Sequence, residues 1–192
     1  MEEDLSSFMA KFANFTEEET AFISEIMPVR MYPKGTILLR EGQIATECYM
    51  NLKGLVRRYI IVDGEERTTE FYTEEQPVAS LVSYNQKVPA DHYFSCLEDT
   101  TLVVLSYDNE QLLNKKYPHL EKLCRVTTEV DYGNHLSKMA RFMTSTPEER
   151  YQHLMQTNPD LLNRVPQYHL ASYLGIKPES LSRIRKRMLQ KS

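Results

Sequence analysis

The segment from Lys177 to Lys191 is strongly basic, with six Lys and Arg residues against a single acid, Glu179. On a helix, an Arg side chain can donate two hydrogen bonds to guanine O6 and N7, and a Glu carboxylate can accept one from cytosine N4. Lys and Arg side chains beside such contacts bind the phosphate backbone. The candidate base contacts are therefore Glu179, Ser182 and Arg183, and the candidate phosphate contacts are Arg185, Lys186 and Lys177.

Charge is distributed unevenly along the chain. The net charge is −4, which by itself gives no reason to expect a nucleic-acid partner. Residues 1–140 hold 14 Lys/Arg and 23 Asp/Glu, whereas residues 141–192 hold 9 and 4, so the two parts carry −9 and +5. Such asymmetry predicts an acidic body with a basic binding module at its C-terminal end.

Two short helices must position these side chains. The sequence predicts that one begins near Pro166 and the other near Pro178. Ala171 is small where the helices would cross, and Gly175 follows four residues later in the turn. The inward positions are apolar: Leu170, Leu174, Ile176, Leu181, Ile184 and Met188. This spacing predicts a helix-turn-helix, with the candidate base contacts and Lys186 on the outer side of its second helix. The alternative is a helical hairpin whose basic outer face is simply solvated.

Residues 32–106 show a pattern of short strands and turns. A capping box of Thr16 and Glu19 predicts a helix before them. Asp63-Gly64 is a two-residue hairpin signal between "LVRRYIIV" and "ERTTEFY". Several short strands at close spacing predict a β-barrel, roll or sandwich. With helices on both sides of it in the sequence, the fold class is α+β.

Two helices are predicted next, Tyr107–Tyr117 and a longer one from Pro118 to about Met143. Apolar and small residues recur along the longer helix three and four apart: Leu120, Leu123, Val126, Val130, Gly133, Ser137 and Ala140. This stripe is narrower than that of a globular core helix and closer to a coiled-coil seam. It favours pairing with a second copy of the chain, and these residues are the candidate dimerisation contacts. Packing against the chain's own barrel is the alternative.

Three segments resemble the Crp/Fnr family of bacterial transcription regulators. "YPKGTILLREG" resembles the first glycine-marked turns of the family's cyclic-nucleotide-binding β-roll, Leu120–Met143 resembles its dimerisation helix, and "ESLSRIRK" resembles its recognition helix. The resemblance implies a jelly-roll-like sensor domain over residues 1–117, a dimerisation helix over 118–144 and a helix-turn-helix DNA-binding domain over 145–192. It also implies phosphate contacts for Ser180, Gln167 and Tyr168.

The function that the resemblance implies is sequence-specific binding of double-stranded DNA by a homodimer at an inverted repeat, with RNA polymerase as a further partner. Two alternatives stay open: a regulator gated by an unidentified small-molecule effector in the β-roll, and a sensing module whose helix-turn-helix contacts protein. The sequence departs from the family in three respects. Lys177 replaces the usual Ser or Thr N-cap, Pro178 replaces a polar residue that reads bases in some members, and no β-hairpin wing follows the recognition helix.

The effector pocket departs further from the family pattern. In its cyclic-nucleotide receptors a Gly-Glu pair contacts the ribose and an Arg-Ser or Arg-Thr pair binds the cyclic phosphate, but here Ala79-Ser80 and Ala90-Asp91 stand at these places. A buried phosphate needs a cation and hydrogen-bond donors, and this exchange removes the cation and adds a negative charge. We therefore expect a degenerate pocket that does not respond to cyclic AMP. Three other cations could restore an anion site: Arg57, Arg58 and Lys87.

The remaining residue types give no sign of a cofactor, a metal or a catalytic site. Cys48, Cys96 and Cys124 are far apart and fit neither a disulfide framework nor a Cys-x-x-Cys metal site. His92 is alone in the strand region, where a metal enzyme would need clustered ligands, and no nucleophile elbow supports Ser-His-Asp catalysis. No apolar run approaches the ~20 residues that span a bilayer, and the acidic N-terminus is unlike a signal peptide. We expect a cytoplasmic protein with no cofactor, no enzymatic activity and no membrane partner.

Overall fold

The structure is a computed structural model, and it describes residues 15–190 except for the side chains of Leu123 and Leu189. Lys191, one of the six basic residues of the terminal segment, lies outside the described residues. Within the described range, every helix is too short or too polar to cross a lipid bilayer. The same residues bring together no group of three or more His, Cys, Asp or Glu side chains that could hold a metal ion.

The chain divides into two compact units. The first extends to Ile60 and resumes over Glu70–Glu121. The second comprises Ile61–Thr69 together with the chain from Lys122 onward. The sequence-based division into residues 1–117, 118–144 and 145–192 stays a prediction.

Between residues 15 and 190, eight strands form two four-stranded sheets. The strands are β1 (Val29–Tyr32), β2 (Ile37–Leu39), β3 (Glu47–Lys53), β4 (Val56–Val62), β5 (Glu65–Tyr72), β6 (Pro77–Val78), β7 (Tyr93–Cys96) and β8 (Thr100–Ser106). One sheet has the order β1-β8-β3-β6 and the other β2-β7-β4-β5. The chain passes repeatedly from one sheet to the other, with antiparallel neighbours in both. This arrangement is the predicted β-roll.

The helices are α1 (Glu17–Ile26), α2 (Leu81–Gln86), α3 (Tyr107–Lys116), α4 (Pro118–Thr144), α5 (Pro147–Thr157), α6 (Leu161–Arg164), α7 (Gln167–Tyr173) and α8 (Pro178–Leu189). The predicted capping box begins α1, because Glu19 N–H donates to Thr16 Oγ1 at 3.2 Å and Thr16 N–H donates to the Glu19 carboxylate at 2.8 Å. The α+β class is confirmed. Four short elements, β1, β6, α2 and α6, have no counterpart in the sequence-based prediction.

Strand β8 buries side chains on both of its faces. Leu102 belongs to a core cluster that includes Phe94 of the opposite sheet. Its neighbour Val103 belongs to a second cluster with Ile23 of α1 and Leu113 of α3. Successive strand residues point to opposite faces, so one face of this sheet packs on the other sheet and its outer face is covered by helices. Fully burying each such side chain stabilises the fold by about 1.5–3 kcal/mol.

The hairpin of β4 and β5 turns at the predicted dipeptide. Asp63 and Gly64 have φ values of +54° and +79°, and a type I′ turn requires positive φ at both positions. The tip of this hairpin belongs to the second unit, where Ser172 of α7 bonds to its backbone. Thr68 N–H donates to Ser172 Oγ at 2.9 Å, and that hydroxyl donates to Glu66 O at 3.3 Å. The hydroxyl therefore satisfies backbone groups of β5, the last strand of its sheet.

The helices α5 to α8 share a small apolar core in the second unit. Its buried members are Tyr151, Leu154, Leu161, Val165, Leu170, Ala171, Leu174, Leu181 and Ile184. Four of the predicted inward positions of the helix-turn-helix, Leu170, Leu174, Leu181 and Ile184, are thus buried, and Ile176 and Met188 are half-buried. Burial of this set fixes which side of α8 faces solvent.

Candidate nucleic-acid interface and effector cleft

Helix α8 buries one side and presents a polar side to solvent. Lys177 is its N-cap, with φ −78° and ψ 151°, and makes no side-chain capping bond, while Pro178 occupies the first turn. The usual side-chain cap is therefore missing, and the fixed φ of Pro178 suits the first helical position instead. The exposed residues of the helix include the four predicted to face outward: Glu179, Ser182, Arg183 and Lys186. They lie opposite the buried residues Leu181 and Ile184.

The turn between α7 and α8 is a Schellman motif. Ile176 N–H donates to Ala171 O, and Gly175 N–H donates to Ser172 O, both at 3.0 Å. Gly175 has φ +70°, in the left-handed region that glycine adopts at helix C-termini at no steric cost. Ala171 is fully buried, so the small residue lies where the two helices pack. As predicted, Gly175 forms the turn and Ala171 lies at the contact between the two helices.

Arg150 of α5 fixes this turn from outside the helix-turn-helix. Its Nη1 donates to Leu174 O at 2.6 Å and its Nε to Ser145 O at 3.2 Å. The guanidinium carbon lies 4.0 Å from the centre of the Phe142 ring. A Cβ on Gly175 would be 3.0 Å from Arg150 Nη1. Sequence reasoning missed Arg150, because no local pattern shows which carbonyl a distant guanidinium will bind.

The other predicted nucleic-acid contacts lie beside the polar side of α8 and at the start of α7. Arg183 Nη2 donates to Ser180 Oγ at 3.2 Å, so the base and phosphate candidates are linked within the helix. Ser180 and Arg185 are half-buried. Gln167 and Tyr168, at the start of α7, are exposed, and 60% of Tyr168 is accessible. The structure leaves all of these side chains accessible to a partner.

The exposed stripe of α4 begins later than predicted. Leu120 is only 6% exposed and packs against Ile23, Leu52, Val103 and Leu113. Its place in the predicted dimerisation stripe is therefore wrong, because its side chain fills the core of the first unit. The alternative of packing against the chain's own barrel applies to this first turn of the helix.

The rest of α4 carries exposed apolar and small residues among its charged ones. Val126 and Val130 are 44% and 58% accessible, and Gly133, Ser137 and Ala140 are also exposed. The prediction for Leu123 falls on a side chain outside the described part of the structure. Sequence reasoning missed a second set on the adjacent side of the helix: Tyr132, Leu136, Met139 and Met143, which are 64%, 46%, 51% and 79% accessible. Their spacing of four, three and four residues was the available signal.

The four residues of the predicted effector pocket differ in exposure. Ser80 and Ala90 are each 5% exposed, and Ala79 is half-buried. The Asp91 side chain is 87% exposed. The two buried residues carry no charge, so this set supplies no buried cation for a phosphate.

Asp91 instead contacts His92 and the positively charged Arg58. Its Oδ1 lies 2.6 Å from His92 Nδ1 and 3.8 Å from Arg58 Nη2. The hydrogen bond to His92 holds the pKa of Asp91 below its usual range, so the carboxylate keeps its negative charge. Burial, followed by the Arg58 charge, lowers the pKa of His92 in spite of the Asp91 bond. The Asp91 carboxylate therefore already opposes the positive charge of Arg58, one of the three cations that could restore an anion site.

Arg57 and Lys87 lie over aromatic rings. The Arg57 guanidinium carbon is 4.2 Å from the centre of the Tyr59 ring. Lys87 Nζ is 3.2 Å from the centre of the Tyr107 ring. Cation–π contacts of this kind stabilise the charges where they are. They give no indication of a replacement phosphate site.

A cleft of about 560 Å³ opens in the β-roll beside Ser80. It is lined by Leu38, Leu39, Gly42, Gln43, Ile44, Ala45, Thr46, Glu47, Tyr49, Ser80 and Phe94. Among these described residues the only carboxylate is that of Glu47, which accepts from Arg30 Nη1 at 3.2 Å and from Tyr49 Oη at 2.9 Å. The volume is within the range of about 300–1,000 Å³ typical of small-molecule sites.

Comparison with known proteins gives one family match and several matching folds. Residues 29–115 match the family model of the cyclic nucleotide-binding domain. No curated protein sequence matches the chain significantly.

Three solved structures show how far the fold likeness extends. The chain is similar to the c-di-GMP responsive global regulator CLP of Xanthomonas campestris over 92% of this chain and 93% of that one, at 17% identity and a TM-score of 0.71. FixK2 from Bradyrhizobium japonicum matches over 86% of both chains at 16% identity and a TM-score of 0.73. A CooA mutant from Carboxydothermus hydrogenoformans matches over 95% of this chain and 83% of that one, at 15% identity and a TM-score of 0.69. Residues 29–115 therefore resemble a cyclic nucleotide-binding domain, and the chain has the fold of the Crp/Fnr-type regulators.

Proposed function

We propose that this chain is a transcription regulator of the Crp/Fnr type that binds a specific DNA sequence as a dimer and does not respond to cyclic AMP. The observation that carries the proposal is the exposed side of α8. Glu179, Ser182 and Arg183 lie together there, opposite a buried apolar side. These residue types match the hydrogen-bonding groups that base edges present in the major groove.

The charge of the C-terminal part of the chain supports a DNA partner. Residues 141–192 carry +5 in a protein of net charge −4. Arg187 pairs with Glu148 at 3.1 Å, so Lys186, Arg185 and Lys177 are the better phosphate contacts. Ser180, Gln167 and Tyr168 extend the phosphate-binding surface to either side. Such a function requires RNA polymerase as a further partner. It also requires that the protein be located in the cytoplasm.

Dimerisation is supported by the exposed apolar residues of α4. A helix of 27 residues that is exposed along most of its length gains little stability from propensity alone. A second copy would cover Val126, Val130 and the neighbouring set at Tyr132 and Leu136. Two recognition helices related by a two-fold axis enter successive major grooves, so the site is an inverted repeat with half-sites about one helical turn apart.

A regulator gated by an unidentified effector is the second candidate, and the cleft beside Ser80 favours it. CLP is described as c-di-GMP responsive, but a phosphodiester needs cationic partners, and the described residues that line this cleft include none. If an effector binds, its chemistry is therefore different from that of a nucleotide. The remaining alternative is a sensing module whose helix-turn-helix contacts protein. Detection of DNA binding by the purified protein would exclude it.

The test compares two substitutions on α8. The protein first selects its site from random DNA, and each variant is then titrated against that site and against scrambled DNA over a range of salt. Arg183→Ala should cost roughly 1–3 kcal/mol on the selected site and relax the preference at one base pair of each half-site. Lys186→Ala should weaken binding to both DNAs alike and reduce the salt slope by roughly 0.9 for each phosphate that is no longer neutralised.

The control variant is Lys115→Ala, which removes an exposed lysine from α3 in the other unit. It should leave affinity and salt slope unchanged. Equal losses on both DNAs for Arg183→Ala would contradict the base-contacting role. Absence of binding by the unmodified protein at low salt would contradict the function as a whole.

A further inference from the structure

Two side chains of opposite charge lie about one helical turn apart on the exposed side of α8. They are Glu179 and Arg183, which are both exposed. A Glu that precedes an Arg by four positions on a helix surface can form a stabilising ion pair with it. In the part of the chain that the structure describes, however, neither of these two side chains takes part in an ion pair. The pairing that their spacing favours is therefore not formed.

Arg183 bonds to an uncharged neighbour instead. Its Nη2 donates to Ser180 Oγ at 3.2 Å. Ser180 precedes Arg183 by three positions, so the two side chains are neighbours on the same helix surface. Ser180 is half-buried, whereas Arg183 is exposed. A short side chain at the edge of the core thus holds the end of a long side chain at the surface.

This bond leaves free the groups that bases require. A guanidinium has several N–H donors, and one of them is directed to Ser180 while the others remain for a guanine edge. The carboxylate oxygens of Glu179 remain for a cytosine amino group. An ion pair between Glu179 and Arg183 would instead occupy donors of the one and acceptors of the other at the same time. The partner that Arg183 has in the free protein therefore affects both candidate base contacts.

We propose that Ser180 is a positioning residue for base recognition, because its hydroxyl takes the place of Glu179 as the hydrogen-bond partner of Arg183. The inference rests on the proposed function and adds to it a residue that sets specificity without touching a base. A phosphate contact by Ser180 is compatible with this role, since a hydroxyl can accept from Arg183 and donate its own hydrogen to a phosphate oxygen. The experiment must separate positioning from a phosphate contact alone.

The first measurement compares Ser180→Ala and Ser180→Thr on the selected DNA site and on sites with one base pair changed. Alanine is the better helix former, so Ser180→Ala keeps α8 intact. Its affinity for the selected site should fall about three- to tenfold, the effect of losing one hydrogen bond. The preference should weaken at two base pairs of each half-site, those contacted by Arg183 and by Glu179. Ser180→Thr retains a hydroxyl and should restore both preferences.

A double-mutant cycle then tests whether Ser180 acts through Arg183. In an Arg183→Ala background, Ser180→Ala should lose most of its effect, because no guanidinium is left to position. The matched control is Thr157→Ala, which removes an exposed hydroxyl from α5 in the same unit and should leave affinity and base preference unchanged. Equal losses on selected and scrambled DNA for Ser180→Ala would overturn the proposal. So would the full loss in the Arg183→Ala background.

NMR of the protein without DNA measures the bond itself. The rotation of the Arg183 guanidinium about its Nε–Cζ bond is compared with and without Ser180→Ala, in proteins that both carry Glu179→Gln so that no ion pair replaces the bond. Rotation should be faster without the Ser180 hydroxyl, and an unchanged rate would overturn the proposal. If the rate does change but the unmodified protein binds no DNA at low salt, the proposed function alone is contradicted.

Discussion

Replacing Gly175 by Ala should destabilise the helix-turn-helix more than its backbone conformation alone requires. Gly175 has φ +70°, and an L-residue in that region costs roughly 1–2 kcal/mol. The added Cβ would also lie 3.0 Å from Arg150 Nη1 and 3.1 Å from Phe142 Cζ. Because Arg150 is held by its bonds to Leu174 O and Ser145 O, it cannot move aside without weakening them.

Removal of the Arg150 bond to Leu174 O adds about 1.5–3 kcal/mol, the range for hydrogen bonds to charged groups. The total for Gly175→Ala is therefore roughly 2.5–5 kcal/mol, the sum of the backbone and bond contributions. Gly64→Ala is the matched control, because Gly64 has φ +79° but nothing lies within 4 Å of its added Cβ. It should cost only the backbone contribution of roughly 1–2 kcal/mol.

Hydrogen exchange of the α7 and α8 amides measures the opening free energy of the helix-turn-helix for Gly175→Ala, and exchange of the β4–β5 hairpin amides does so for Gly64→Ala. Equal costs for Gly175→Ala and Gly64→Ala would refute the steric argument. A double-mutant cycle with Arg150→Met then assigns the excess, which should largely disappear when the guanidinium is absent. Persistence of the whole excess in that background would show that Arg150 is not its source.

Three further predictions concern assembly, ligand choice and pH. Replacing both Val126 and Val130 by Glu should bury unpaired charge in the dimer interface and give a monomer in analytical ultracentrifugation. Replacing Cys124 and His135, on the other side of α4, by Glu should leave the protein dimeric. The prediction would be contradicted if the unmodified protein were a monomer at micromolar concentration. Cyclic AMP and cyclic GMP should show no useful binding by calorimetry, since Ala90-Asp91 offers no cation, and a micromolar dissociation constant for either would overturn the expectation. Burial lowers the pKa of His92 below its ordinary 6.5, so the unfolded chain takes up the proton first and the free energy of unfolding should fall as pH drops below that value. His92→Gln should reduce this fall in urea titrations at about pH 7.5 and about pH 5.5, and an unchanged pH dependence would contradict the buried, neutral imidazole.

The features that sequence reasoning predicts well are encoded within a few residues. Thr16 and Glu19 bond to each other across one turn, and Asp63-Gly64 can adopt the two positive φ values that its hairpin needs. Gly175 fits the left-handed end of α7 for the same local reason. Patterns of this kind carry their own physical cause, so the capped helix, the hairpin and the helix-turn-helix could be predicted from the sequence.

The features that it misses depend on partners far away in the sequence. Leu120 continues the periodic stripe of α4, but its neighbours Ile23 and Leu52 decide that it is buried. The sequence marks Ser80 only as a substituted ribose contact, and the cleft that it lines together with the β2–β3 connection exists only in the folded chain. Arg150 is invisible for the same reason. The apolar side of α4 is different, since its two adjacent sets are both present in the sequence and only one of them was predicted.

The bonds between Ser172 and the β4–β5 hairpin have a consequence for the order of folding. Their partners are 104 and 106 residues apart in the chain, and closing a flexible loop of that length costs roughly 4 kcal/mol in entropy. These bonds are therefore expected to form late, because distant pairings become favourable only after the entropy of loop closure has been overcome.

During synthesis the hairpin leaves the ribosome long before α7 exists. Until Ser172 arrives, the outer edge of β5 exposes backbone groups that can pair with another chain. A chain whose synthesis stops before α7 therefore keeps an open strand edge, and such edges make incomplete chains prone to aggregation. A single serine hydroxyl in the helix-turn-helix thus also protects a strand made much earlier.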